Sequence, residues 1–192
     1  MRKILALVLC LLLFCSCASS SEKKTVNETL TSYFSALNKG DYASANALVV
    51  QADKNIKAEI EANSVNDYIF KDVSFEVWKI YVEQEYLCAD IVVRQYNLSK
   101  AYTDTITEYG QYLEDATAQN KEFNDSALEQ YWNSFFYKHV TKIEEKNSFH
   151  CTIKIQAGET PKILMTAQFR NALFGGELDA INALNQLSKE EK

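Results

Sequence analysis

Proline and glycine are scarce in this sequence, with one Pro and five Gly among 192 residues. A chain so poor in both is neither collagen-like nor a low-complexity segment. Basic residues are also in deficit, because 20 Lys and Arg face 26 Asp and Glu and give a formal charge of −6. A nucleic-acid surface requires clustered Lys and Arg, so we predict no nucleic-acid partner. The length and the apolar content of 47% indicate one domain with its own core.

The chain lacks the motifs of metal, phosphate and serine-nucleophile chemistry. It has no His-Glu-x-x-His, no Cys-x-x-Cys and no Asp-rich calcium loop. Gly175 and Gly176 stand apart from any Gly-x-x-x-x-Gly-Lys loop, and no Gly-x-Ser-x-Gly elbow occurs. The motifs therefore predict no metal site, no cofactor and no catalytic residue.

Long apolar runs are confined to the N-terminus, where Ile4 to Phe14 follows the basic residues Arg2 and Lys3. This run is shorter than the roughly twenty residues that cross a bilayer as a helix. A basic start and a short apolar run are typical of a secretory signal peptide. The sequence therefore predicts export.

The residues that follow, Phe14-Cys15-Ser16-Cys17, resemble the cleavage site of bacterial lipoproteins, in which a Cys receives a thioether-linked diacylglycerol. Cys17 fits best because small residues precede it, whereas Cys15 would follow bulky Phe14. The resemblance implies a signal peptide at 1–16, a lipidated tether (with palmitate among the acyl chains) at 17–24, and one α+β domain at 25–192. The alternative is an ordinary signal peptide cut nearby, with Cys17 left as a plain thiol.

The same resemblance implies a location on the extracytoplasmic face of the cell membrane. An acidic protein is repelled by an anionic bilayer, so acyl chains on Cys17, rather than a basic patch, would hold the protein there.

Of the remaining cysteines, Cys88 and Cys151 survive processing, and export would permit a disulfide between them. Their alternation places them on opposite faces of a sheet, so we predict two separate thiols.

Helical spacing dominates the N-terminal part. The apolar residues of the first predicted helix lie on one face: Val26, Leu30, Tyr33, Phe34 and Leu37. Gly40 ends this helix and Asp41 can cap a second one, which carries Tyr42, Ala45, Leu48 and Val49. A third helical stretch is expected near residues 53–62, where Ile56 and Ile60 are four residues apart.

Two hairpins separated by two helices are predicted next. The first pairs Val73–Val82 with Tyr86–Tyr96, and the second joins a strand around Phe149–Ile155 to Lys162–Thr166. In the second strand, alternation buries Leu87, Ala89, Ile91 and Val93 and turns Cys88, Asp90, Val92 and Arg94 outward. The intervening apolar stripes run from Leu98 to Leu113 and from Leu128 to Ile143. This order predicts an antiparallel sheet with helices packed on one face.

Part of the chain resembles a known family of lipoproteins. The opening pattern Val26…Tyr33-Phe34…Gly40-Asp41-Tyr42, together with Ala89-Asp90-Ile91-Val92-Val93, is similar to bacterial, often Gram-positive, lipoproteins of unknown function with a nuclear-transport-factor-2-like (cystatin-like cone) domain. The Gly-x-Trp-x-Ile/Val signature of that group is absent, since Gly158 to Ile163 contains no Trp. The resemblance implies a cone-like α+β fold with a helical pair inserted between the hairpins, and it carries over no catalytic residue.

Candidate chemistry rests on few residues. His139 lies on an apolar helical stripe and is expected to have a structural role, while His150 and Asp90 are expected to face outward. Trp132 lies on the longest stripe and is expected to pack the helix pair onto the sheet. The favoured hypothesis is a membrane-anchored, non-catalytic binding module for an envelope protein or a small apolar ligand. The alternative is a small-molecule enzyme that uses the pocket of the cone fold.

Overall fold

The computed structural model describes residues 15–190, so the predicted signal residues 1–14 and the last two residues of the charged C-terminus lie outside the described residues. Within this range the chain forms seven helices and six strands, which confirms the α+β class. In this described part, no helix combines the length and the apolar character that crossing a membrane requires.

One mixed sheet organises the fold. Its strands are β1 (Cys15–Cys17), β2 (Val49–Gln51), β3 (Ser74–Glu83), β4 (Tyr86–Tyr96), β5 (Lys146–Gln156) and β6 (Lys162–Met165). They lie in the order β1-β3-β4-β5-β6-β2. Both predicted hairpins are confirmed, because β3 pairs with β4 and β5 pairs with β6, each antiparallel. The central pair, β4 and β5, is also antiparallel.

The expectation of a purely antiparallel sheet is wrong at one edge. Val49, which the sequence places on a helix, begins β2, and this strand runs parallel to β6 with Val49 opposite Ile163. The preceding helix ends at Asn46, a turn follows at Ala47 and Leu48, and the strand begins at Val49. The backbone N–H of Ile163 donates to the Leu48 carbonyl at 2.8 Å and begins this pairing.

The helices are α1 (Ser20–Asn38), α2 (Tyr42–Asn46), α3 (Ser64–Phe70), α4 (Ser99–Ala118), α5 (Asp125–Val140), α6 (Ala167–Leu173) and α7 (Glu177–Glu190). A capping box starts α1, in which the Ser19 hydroxyl accepts from the Glu22 N–H and the Glu22 carboxylate accepts from the Ser19 N–H. Ala18, just before it, is buried. Residues 18–24, which the sequence assigns to the tether, therefore belong to the folded domain.

The helix expected at residues 53–62 is also wrong, since α3 begins only at Ser64. Instead, the Asn46 amide brackets the backbone of Ile60: its nitrogen donates to the Ile60 carbonyl and its oxygen accepts from the Ile60 N–H, both at 2.9 Å. These bonds fix the non-helical backbone of Ile60 against the end of α2, and the Ile60 side chain is buried. The four-residue spacing of Ile56 and Ile60 reflects burial of a loop.

Helices α1, α3 and α6 cover one face of the sheet. The alternation of β4 is confirmed on that face, where Leu87, Ala89, Ile91 and Val93 belong to the core. Cys151 also joins this core, whereas Cys88 lies on the opposite face, and both thiols are free as predicted. The outward face is less exposed than expected, since Cys88 and Val92 are both buried.

Helices α4 and α5 lie between β4 and β5 in the chain. Their main contacts are with each other, while α5 also packs on α3 and α4 on α7. The expectation that Trp132 and its neighbours pack this pair onto the sheet is wrong, because α3 lies against α5 where the sheet was expected. The aromatic side chains instead pack between the two helices, as in Tyr109 against Trp132 with ring centroids 5.5 Å apart.

Candidate functional site

Aromatic side chains fill the space between the helices and the sheet. Tyr33 is fully buried, with its ring centroid 5.6 Å from Phe34 and 5.9 Å from Phe169. Phe34 also stacks on Phe75 of β3 at 4.6 Å. The Tyr33 hydroxyl is buried with no hydrogen-bond partner among the described residues. Burial raises the pKa of this phenol, so it stays neutral.

His139, on the apolar stripe, bridges two helices. Its Nε2 lies 2.8 Å from Glu108 Oε2, and Lys138 Nζ donates to the other oxygen of Glu108 at 2.6 Å. The hydrogen bonds from Lys138 and then from His139 lower the pKa of the Glu108 carboxyl. A general acid of the cone-pocket type requires a carboxyl whose pKa is raised by burial. The geometry therefore fits a structural role for His139.

The outward face of the sheet carries the other two candidates, as predicted. His150 is exposed and meets the ring of Trp78 edge to face, with centroids 4.7 Å apart. Asp90 accepts hydrogen bonds from the Thr152 hydroxyl at 2.8 Å and from the Tyr81 hydroxyl at 3.3 Å. These bonds tie three strands together, so Asp90 has a structural role on this face.

Trp132 is half-buried and lines a cleft where α3, α5 and the turn between α6 and α7 meet. The cleft has a volume of about 130 Å³, which is the size of one ring or one side chain. Its apolar walls are Tyr102, Trp132, Phe136 and Phe174, and its polar lining is Asn63, Asn66, Asn133 and Glu177. This combination of aromatic faces and amides is the usual make-up of a small binding site.

The amides of the cleft differ in what they contact. Asn63 caps α3, because its side-chain oxygen accepts from the Asn66 N–H at 2.8 Å, and the Asn66 side-chain nitrogen donates to the Glu61 carbonyl at 2.7 Å. The Asn133 side chain is half-buried and makes no hydrogen bond to any residue of the described range. Its donor and acceptor are therefore available to a ligand.

The one carboxylate of the cleft is neutralised. Arg170 donates to both oxygens of Glu177, from Nε at 2.8 Å and from Nη2 at 3.0 Å. The same guanidinium lies 4.3 Å above the ring of Phe174. Both partners are largely buried, which makes this paired geometry rigid. The cleft thus presents aromatic faces and a free amide with little net charge.

Tyr102 is the buried phenol of the cleft. Its pKa is raised well above the ordinary value, mainly by burial and to a smaller extent by the charge of Glu177. The phenol therefore stays protonated and adds no charge to the cleft.

Of the residues that line the cleft, the sequence singled out Trp132 and its aromatic neighbours. Asn63, Asn133 and Glu177 were missed because they come from separate helices, and no local spacing brings them together.

Within residues 15–190, no group of three or more His, Cys, Asp or Glu side chains is placed to hold a metal ion. Compared with protein-family models, with curated proteins and with solved structures, the chain gives no significant match.

Proposed function

We propose that this protein is a lipoprotein anchored through Cys17 at the extracytoplasmic face of the membrane, where it acts as a non-catalytic binding module. In this proposal the domain is cone-like, and α4 and α5 form an insertion between its two hairpins. The proposed partner is an envelope protein that places one side chain in the Trp132 cleft.

The observation that carries this proposal is the free amide of Asn133 beside the half-buried ring of Trp132. A cleft of about 130 Å³ is too small for a whole drug-sized ligand, whose pockets measure at least about 300 Å³. It matches a single side chain of a protein partner, which an aromatic wall and one hydrogen bond can hold. Because Arg170 neutralises Glu177, the group bound is expected to be uncharged.

The anchor is supported by the sequence around Cys17 and by the start of the fold. The basic Arg2 and Lys3, the short apolar run and the small residues before Cys17 form the lipoprotein pattern. Ala18 is buried and the Ser19 cap follows at once, so the folded domain begins directly after the proposed lipid site.

Substitution and mass measurement test the anchor. Cys17→Ala is expected to release the protein or leave it unprocessed, whereas Cys15→Ala should remain membrane-bound. Mass spectrometry of the N-terminal peptide should show a diacylglyceryl group on Cys17. An unmodified N-terminus at another residue would contradict the anchor.

Site-specific photo-crosslinking in cells tests the cleft. A photoreactive residue at Glu129, which is exposed one helical turn before Asn133, should capture one protein species, and both Trp132→Ala and Asn133→Ala should abolish the capture. Ser134 is the matched control, because it is also exposed on α5 and does not line the cleft. Equal capture from both positions would contradict binding in the cleft, and addition of only a small mass would show a free ligand in place of a protein.

The alternative, an enzyme that uses the pocket of the cone fold, would need a buried carboxyl with a raised pKa near His139. The carboxyl that faces His139 is Glu108, and its ion pair with Lys138 shifts its pKa in the opposite direction. No observation in the described residues favours this second function over binding.

A further inference from the structure

Trp78 is the most exposed large apolar side chain among the described residues, with 63% of its surface accessible. It stands at an irregularity of β3, because Val77 pairs with Ile91 and Lys79 with Asp90, so that Trp78 is the extra residue of a β-bulge. Bulges redirect side chains out of the regular alternation. The His150 ring meets the indole edge to face, with centroids 4.7 Å apart, and the part of the indole that stays accessible is open to a partner or a membrane.

The surroundings of Trp78 are basic although the protein is acidic. Trp78 and Lys79 of β3, with Lys23 and Asn27 of α1, line an open groove of about 410 Å³. Neither Lys23 nor Lys79 has an ion pair with a described carboxylate, and the ammonium of Lys79 lies 5.0 Å from the centre of the Tyr81 ring. The groove therefore presents two free positive charges beside an exposed indole.

The carboxylates near this groove are mostly engaged elsewhere. Glu22 accepts from the Ser19 N–H at 2.6 Å, and Glu83 pairs with Lys154 at 2.8 Å. Glu76 of β3 is the exception among these carboxylates, because it is exposed and has no such partner among the described residues. The local excess of positive charge at Lys23 and Lys79 thus remains.

This groove lies beside the proposed anchor. Cys17, the one residue of β1 that the proposed cleavage leaves in place, pairs with Tyr81, and Trp78 is three residues further along β3, which is about 10 Å. Since Ala18 is buried and α1 begins at Ser20, no flexible segment separates Cys17 from the fold. A lipid on Cys17 would hold Trp78 at the level of the headgroups, where Trp is enriched in membrane proteins.

We propose that Trp78, Lys23 and Lys79 form a second membrane contact, which binds the headgroup region of an anionic bilayer and fixes the orientation of the domain. This inference rests on the proposed lipid anchor. An anionic surface attracts both lysines, and the indole adds burial at the interface.

The two Trp residues of the chain make a direct test possible. The mature lipidated protein is reconstituted into vesicles of phosphatidylglycerol and phosphatidylcholine with brominated acyl chains. In Trp132→Phe, the emission then comes from Trp78 alone and should be strongly quenched and blue-shifted. In Trp78→Phe, the emission comes from Trp132 and should show neither change.

The lysines are tested in the Trp132→Phe background. Lys23→Gln with Lys79→Gln should reduce the quenching, whereas Lys24→Gln is the matched control, because Lys24 lies on the same helix and pairs with Glu28. If Trp78 is quenched no more than Trp132, the proposal is overturned, and the bulge and Lys79 then only protect the edge of β3. Mass spectrometry of the same preparation separates the two proposals: an unmodified Cys17 overturns both, while a lipidated Cys17 with unquenched Trp78 overturns only this one.

Discussion

His139 Nε2 lies 2.8 Å from Glu108 Oε2, and this contact joins α5 to α4. Lys138, the neighbour of His139, holds the second oxygen of the same carboxylate. Two consecutive residues of one helix thus bind a single carboxylate of the other. The group is partly exposed, so solvent and salt screen it, and its contribution to stability is modest.

Glu108 should make the stability of the protein depend on pH in the acid range. The folded protein lowers the pKa of this carboxyl below its ordinary value of 4.5, so its contribution is present above that pH and is lost as the pH falls through the lowered pKa. The difference in free energy of unfolding between the natural protein and Glu108→Gln should therefore be largest near neutral pH and vanish in acid. Denaturant titrations at several pH values measure it. Glu114→Gln, exposed on the same helix, is the control, and an equal pH dependence for both variants would contradict the prediction.

Tyr33→Phe should leave stability unchanged or raise it by about 1 kcal/mol, because it removes a buried hydroxyl without a partner. Tyr42→Phe is the matched control: the Tyr42 hydroxyl donates to Asp67 at 2.9 Å, so its loss should cost about 1 kcal/mol. Chemical denaturation compares the two. A clear loss of stability in Tyr33→Phe would show that its hydroxyl has a partner, such as a bound water.

Gly175→Ala should destabilise the fold severely. Gly175 has φ +56°, and an added Cβ would lie 2.1 Å from the Tyr96 carbonyl oxygen, so the turn would have to move away from β4. Gly110→Ala, in the interior of α4 with open space around it, should instead stabilise by about 0.5–1 kcal/mol. Thermal unfolding of both variants checks this contrast. Similar melting temperatures would contradict the close approach at Gly175.

Trp132→Ala should cost about 1–3 kcal/mol, less than the 3–5 kcal/mol typical of a fully buried Trp, because the ring is half-buried. Trp78→Ala should cost less than about 1 kcal/mol, since the ring is 63% exposed. Denaturant unfolding measures both. A loss for Trp132→Ala as large as that of a core Trp would place it in the core and weaken the case for the cleft.

Local patterns predicted the elements that depend on local chemistry. The hairpin of β3 and β4, the inward alternation of Leu87 to Val93 and the free thiols follow from period-two burial within one segment. Residues whose structure depends on distant partners were not predictable. Val49 is a strand residue because β6 lies beside it, and the backbone of Ile60 is bound by the Asn46 amide in place of a helical partner.

The candidate site was predictable only in part, for the same reason. The stripe of α5 indicated that Trp132 is important, but its ring also packs against Tyr109 of α4, a contact that spacing within α5 does not show. Asn133 differs from any polar surface residue only through its tertiary position. Sequence spacing identified the helix face correctly and could not show that α3 and the α6–α7 turn close a cleft over it.

The parallel pairing of β2 with β6 has a consequence for the order of folding. These strands are more than a hundred residues apart, so their pairing closes a very long loop, and the entropy of closure must be offset by contacts made first. We expect the local β3–β4 hairpin to form early and β2 to join late. If the chain is exported N-terminus first, as proposed, its sheet cannot be completed until β6, at Lys162–Met165, has emerged.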